Sequence, residues 1–322
     1  MAAVCALALA LVLLLPLTQP HGGGGADLGG QKVAKGSRTK AATCDESTVQ
    51  DQSPAPSDAD GITIDAIKKR GYLSVGVDQN SYRWGYLNPN NPSGELEGFD
   101  IDLVHAIARN IFGDDTKERI QFRAIPTNQR VPAIQSGRVD MVVRTMTITC
   151  TRLEQVAFSA PYFKTGQQVL APKTSTIKGY DATLAGKKIC SAKGSTAHDK
   201  LDADKKAGKI PSTTDIDTQV PNQLDCLVRL QLAQVDAVVT DGALAASQAA
   251  QDLTVQLKGT TFTTEYYGVA MKKGATDLVR RVNRILETYR ADGSWKASYD
   301  KWLSATLGTK SESATPPAAR YK

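Results

Sequence analysis

Cysteine, histidine and aromatic residues are all scarce in this chain, and each shortage removes a class of function. Its 322 residues include five cysteines, three histidines and 6% aromatics. The histidines, His21, His105 and His198, lie far apart and offer neither a metal site nor a catalytic cluster. No cysteine pair has CxxC spacing, so a zinc site is not expected. Lysine and arginine never run to five in a row and are not interleaved with aromatics. The net charge of +6 therefore reads as a solvated basic surface and not as a nucleic-acid footprint. The apolar run at 2–17, AAVCALALALVLLLPL, falls short of the roughly 20 residues that a membrane span needs.

What is present points outside the cytoplasm. That same run is long enough for the apolar core of a secretory signal, although no lysine or arginine precedes it. Cys5 does not follow the run, so it is not counted as a lipidation site. The four remaining cysteines, Cys44, Cys150, Cys190 and Cys226, fit two disulfides in an oxidising compartment, with three pairings open. At 41% hydrophobic residues the chain can bury a full core.

Residues 1–21 are thus read as a signal- or anchor-like segment. Residues 22–60 begin GGGGADLGG and end SPAPSDADG, a composition that predicts a flexible linker, and 307–322 read as a disordered tail. Between them, strands alternate with helices. LSVGV (73–77), RIQFRAI, VDMVVRTMTI, KKICSA, VDAVVTD and YYGVAMKK read as strands. FDIDLVHAIARNIFG, VPAIQSG, TRLEQVAF, STAHDKLDADKKAG, VPNQLDCLVRLQLA, ALAASQAAQ and TDLVRRVNRILETYRADG read as helices. The alternation predicts an α/β fold with mostly parallel sheets. SGRVDMVVRTMTIT and LAQVDAVVTDG repeat one logic: helix, Val-Asp, apolar strand, then polar residues at the carboxyl end, where open α/β sheets bind ligands.

Four segments carry a resemblance to a known family. They are GELEGFDIDLVHAIA (94–108), VDMVVRTMTITCTRLEQVAFSAPYF (139–163), KKICSAKGSTAHDKL (187–201), and YYGVAMKKG with DGSWKASYDKWL (within 266–303). In this order they resemble the family 3 extracytoplasmic solute-binding proteins of polar amino-acid ABC importers. The glutamate-binding type of high-GC Gram-positive bacteria is most similar. The resemblance implies a type II periplasmic-binding-protein fold, two α/β lobes on a two-stranded hinge. Lobe 1 would hold 61–165 plus 268–306, and lobe 2 would hold 166–267. It also implies an extracytoplasmic monomer, secreted or tethered, that binds glutamate, glutamine or aspartate by hinge closure and delivers it to a membrane permease, with no cofactor. A bridge between lobes would lock that hinge, so the expected pairs are Cys44 with Cys150 and Cys190 with Cys226.

The resemblance places the ligand's α-carboxylate on Arg152, whose planar fork matches two carboxylate oxygens. Thr147 and Thr145 would assist it, although threonines at a strand end are also ordinary β formers. Ser195 and Thr196 open a helix and would offer backbone N–H groups to an anion; Ser195 also reads as a plain N-cap. Asp241 would pair with the ligand ammonium, with helix N-cap as its other reading. Trp84 would cover the ligand's aliphatic chain or else sit in the core. Arg83, Arg144 and Lys193 are the candidates for a second ligand carboxylate. Two other classes share the pattern: a cyclohexadienyl dehydratase-like enzyme, for which no acid/base arrangement is apparent, and an amino-acid sensor for a membrane signalling partner.

Overall fold

Two five-stranded sheets of matching order organise the chain. A computed structural model describes residues 44–322; the apolar segment at 1–21 and the linker up to residue 43 lie outside them. In the first sheet the order is Ile120–Ala124, Leu73–Val77, Met141–Val142, Ala270–Lys272, Val156–Phe158. In the second it is Asp215–Val220, Lys188–Ala192, Ala237–Asp241, Gln167–Pro172, Val255–Lys258. Each sheet is parallel but for one strand: Ala270–Lys272 in the first and Gln167–Pro172 in the second run antiparallel to both neighbours. Those two are the strands that enter each lobe directly after the hinge. The hinge itself is the antiparallel pair Phe163–Thr165 and Glu265–Tyr267. This is a type II periplasmic-binding-protein fold with two α/β lobes.

Local chemistry explains most elements. The helix Phe99–Phe112 buries Phe99, Leu103, Val104, Ile107 and Ile111 along one stripe and stops at Gly113, whose φ of 84° suits glycine. The helix Ile62–Arg70 ends the same way at Gly71. The apolar strand Leu73–Val77 is buried throughout, as expected of a central parallel strand.

Three expected elements differ. TRLEQVAF is helical only over Cys150–Leu153; Val156–Phe158 is an edge strand, because Val156 and Phe158 alternate inward against Ile148 and Val139. VDMVVRTMTI stays in the sheet only at Met141–Val142. Thr145, at φ 40°, turns the chain toward the hinge, where Thr147 bridges to Tyr267. YYGVAMKK is two strands in two sheets, broken at Gly268, where a Cβ would come within 2.9 Å of Ile148.

Both termini of the described region are more ordered than their composition suggests. The Cys44–Cys150 disulfide fastens residues 44–60 to lobe 1, Val49 is buried there, and Asn283 donates to Ser53 Oγ and the Pro54 carbonyl, each at 2.7 Å. This part of the expected linker is a strap, because side chains far along the chain supply partners that composition does not reveal. The expected disordered tail also packs on lobe 1. Ala314 is buried, Ser313 Oγ donates to the Lys164 carbonyl at 2.8 Å, and Lys322 N donates to the Ser53 carbonyl at 2.9 Å. The second disulfide joins Cys190 to Cys226 inside lobe 2.

Candidate functional site

The carboxyl ends of both sheets face one interlobe cleft, and a groove of about 780 Å³ opens there. Arg152 sits on its wall, 9% exposed. The one-turn helix Cys150–Leu153 aims it inward, with Thr149 Oγ1 accepting from Arg152 N at 3.2 Å as the cap. The guanidinium spans the cleft. Nη1 donates to the Thr147 carbonyl at 2.7 Å on lobe 1, and Nη2 to the Gly194 carbonyl at 3.2 Å on lobe 2. Gly194 is required here: its φ is 75°, and a Cβ would lie 3.1 Å from Asn128 Cα of the facing lobe.

Behind Arg152 lies a charged cluster. Arg144 is fully buried, pairs with Asp78 at 2.7 Å and donates across the cleft to Asn222 Oδ1 at 2.8 Å. Arg130, 3% exposed, lines the groove and donates to the carbonyls of Thr127, Arg144 and Thr145 at 2.9, 3.2 and 3.3 Å. Unlike Arg144, neither Arg130 nor Arg152 pairs with a carboxylate among the described residues. Burial, and then the positive charges of Arg152 and Arg144, push the Arg130 pKa well below its usual value. Burial lowers Arg152 as well, opposed by Glu265 and more weakly by Asp199, Asp241 and Glu46. Two desolvated guanidiniums on one groove wall carry charge that a bound anion would offset.

The carboxylates there are better partnered. Asp241 ends its strand and accepts from Tyr267 Oη at 2.6 Å. Although it stands at a helix N-terminus, its side chain makes no capping bond. Glu265, on the hinge strand, accepts from Gln167 Nε2 at 2.8 Å and from Thr263 and Thr196 hydroxyls at 3.2 Å. Asp100 accepts from Tyr162 Oη at 2.8 Å and from Thr145 N at 3.0 Å, which holds the turn at the strand end.

Burial drives the Asp100 pKa up to about 7. Burial, joined by the charge of Glu265, does the same for Asp241. A carboxyl raised by folding binds its proton more readily folded than unfolded, so the fold gains stability as pH falls through about 7 toward the unfolded value near 4. Stability followed by thermal melts from pH 7.5 to 5.5 is therefore expected to rise, by up to about 1.4 kcal/mol per pH unit for each such group. Asp100→Asn should flatten the trend; an equal slope in that variant would remove Asp100 from the account.

Of the residues singled out from sequence, Arg152 and Thr196 line the groove, Thr147 lines an adjoining pocket, and Arg144 reaches across the cleft to Asn222. Thr145 and Asp241 are buried and line neither space: the Thr145 carbonyl holds Arg130, and Asp241 is bonded to Tyr267. Ser195 stands between the groove residues Gly194 and Thr196 without lining the groove itself; its hydroxyl caps His198 N at 3.2 Å and its own N–H is taken by the Ala192 carbonyl at 3.1 Å. Three residues are placed elsewhere. Trp84 is fully buried among Phe99, Phe163 and Tyr267 in the lobe 1 core. Arg83 turns toward the C-terminal helices and donates to the Trp302 carbonyl at 3.2 Å. The Lys193 side chain is exposed and does not line the groove.

Residues 73–305 match the bacterial extracellular solute-binding proteins, family 3. The chain belongs to that family. It is 36% identical over 241 residues to the ABC transporter glutamine-binding protein GlnH of Bacillus subtilis (strain 168), covering 75% of this chain and 84% of that one. The glutamate-binding protein GluB of Corynebacterium glutamicum (strain ATCC 13032) is 30% identical over 268 residues, 78% of this chain and 84% of its own. Among solved structures, an ancestral arginine-binding protein bound to glutamine has 34% identity and a TM-score of 0.65, covering 73% of this chain and 98% of its own. These relatives are solute-binding proteins. Among the described residues of this solute-binding chain, no helix is long and apolar enough to cross a membrane.

Sequence reasoning missed Arg130, Glu265 and Gln167, all on the groove of this family 3 protein. Arg130 immediately precedes VPAIQSG, and a cation at a helix start is otherwise unfavourable. That mismatch is the signal the sequence holds. Glu265 directly precedes YYG and reads as a polar strand end; nothing local marks it as buried.

Proposed function

We propose that this protein captures glutamate, or the related glutamine or aspartate, in the interlobe groove and releases it to the membrane permease of an ABC importer. Hinge closure does the work, and no covalent chemistry is involved. The observation that carries the reading is the pair Arg130 and Arg152: two almost fully buried guanidiniums on one groove wall, without a carboxylate partner among the described residues. A dicarboxylate supplies both missing anions. Arg152 takes the α-carboxylate in the bidentate mode a guanidinium favours. Thr147 and Thr196 add contacts, one from each lobe. Asp241 receives the ammonium, aided by Tyr267, which keeps the carboxylate oriented.

Arg130 takes over the role expected of Arg83, Arg144 or Lys193. Its Nη2 has no acceptor among the described residues, while Arg144 is committed to Asp78, Thr127 and Asn222. Because ligand contacts come from both lobes, binding shifts the open–closed equilibrium toward closure. The amino-acid-binding names of the relatives support the same class of solute.

Calorimetric titration tests this. The wild type is expected to bind glutamate more tightly than glutamine. Arg130→Gln should weaken glutamate by about tenfold or more while changing glutamine much less, since a charge-assisted bond is worth about 1.5–3 kcal/mol. Equal losses for both ligands would make Arg130 a structural support only. No binding by any amino acid would end the proposal.

A further inference from the structure

The family match begins at residue 73, yet one residue that lines the groove, Glu46, precedes it. The Cys44–Cys150 disulfide anchors the strap two residues before Arg152. Glu46 follows at once, and its Oε1 accepts from the Cys150 N–H at 3.0 Å. Val49 then seats in a cluster with Ile125, Ala133 and Met146, and Ser53 Oγ donates to the Phe158 carbonyl at 2.9 Å. Covalent, polar and apolar contacts together fix where Glu46 lies. It lines the main groove and also the adjoining pocket of about 350 Å³ that shares Thr149, Thr196 and Glu265.

We infer that Glu46 is a charge-selecting residue at the mouth of the ligand groove, held in place by the Cys44–Cys150 strap. The inference rests on the amino-acid-binding reading above. Glu46 has no cation partner among the described residues, so its charge acts outward on whatever enters. It shares the groove lining with Arg152, and its negative charge opposes the lowering of the Arg152 pKa that burial causes. A carboxylate there lowers the positive potential that Arg152 and Arg130 project to the entrance. For a zwitterion of zero net charge the effects on its two ends oppose each other. For glutamate, with a net charge of −1, they do not. Glu46 therefore moderates the preference for acidic ligands that the two arginines create.

The test is calorimetry of the full chain with L-glutamate and L-glutamine, comparing wild type, Glu46→Gln and Glu46→Lys. Glutamine at this position keeps a side-chain oxygen for the Cys150 N–H. Glu46→Gln should tighten glutamate by about threefold to tenfold and Glu46→Lys by more, with glutamine held within about twofold. The gain should shrink at high salt as the charges are screened. Absence of a glutamate-selective gain in both variants, with the wild type binding normally, would overturn the inference. A wild type that binds neither ligand would instead remove the binding function on which it rests.

Discussion

Replacing Arg152 by alanine is expected to weaken glutamate binding by about two to three orders of magnitude. Removing one partner of a buried, hydrogen-bonded charge pair costs about 2–5 kcal/mol, and each 1.4 kcal/mol is tenfold in affinity. The loss is large because closure of the lobes would bury the ligand carboxylate without the guanidinium that replaces its water. The fold should notice much less. Arg152 donates to two carbonyls, at Thr147 and Gly194, and losing those bonds destabilises. Against that, the variant no longer buries a charge whose pKa desolvation already depresses. The two effects offset, so the melting temperature of the protein without ligand should change little. Arg152→Lys should not rescue binding, because an ammonium cannot reach both lobes and hold a carboxylate with two parallel bonds. Titration calorimetry beside thermal unfolding separates the cases: unaltered affinity in the alanine variant would dismiss Arg152 as the carboxylate anchor.

Arg152 is legible in the sequence because a short ordered motif surrounds it, TIT followed closely by the arginine. The buried strand Leu73–Val77 and the helix Phe99–Phe112 are legible for a simpler reason: their apolar spacing is local and matches one element each. Arg130 is not legible in that way. What makes it a site residue is the turn at Thr145, fifteen residues on, whose carbonyl holds the guanidinium at the groove. Trp84 illustrates the converse. Its position near a motif suggests a ligand cover, but its surroundings are Phe163 and Tyr267, brought together only by the hinge pairing. The strap is hidden for the same reason, since glycine- and proline-rich composition does not disclose that Asn283 will grip Ser53 and Pro54. Periodicity reads which face of an element is buried; it does not read which distant side chain meets it.

Removing the Cys190–Cys226 disulfide is expected to cost about 4 kcal/mol of stability while leaving ligand affinity nearly unchanged below the melting transition. The bridge closes a separation of 36 residues. Loop-closure entropy of that size in the unfolded chain gives the estimate. Both sulfurs are fully buried among Leu170, Val220, Leu227 and Val238. The pair should therefore be replaced by alanine and not by serine, whose hydroxyls would lack partners there. In a protein of this size the melting temperature should fall by about 6 °C. The bridge ties Lys188–Ala192, which runs straight into Gly194 and Thr196, to the helix Gln223–Gln231, whose N-cap Asn222 receives Arg144. Both cleft-facing ends of lobe 2 are thus fixed to each other, and neither is fixed to lobe 1 by a covalent bond. Loss of the bridge should accordingly lower the unfolding temperature of lobe 2 and can split the calorimetric transition in two, with lobe 1 held by Cys44–Cys150 melting later. A melting temperature identical to that of the oxidised wild type would show that packing between strand and helix, and not the covalent tie, holds this side of the cleft together.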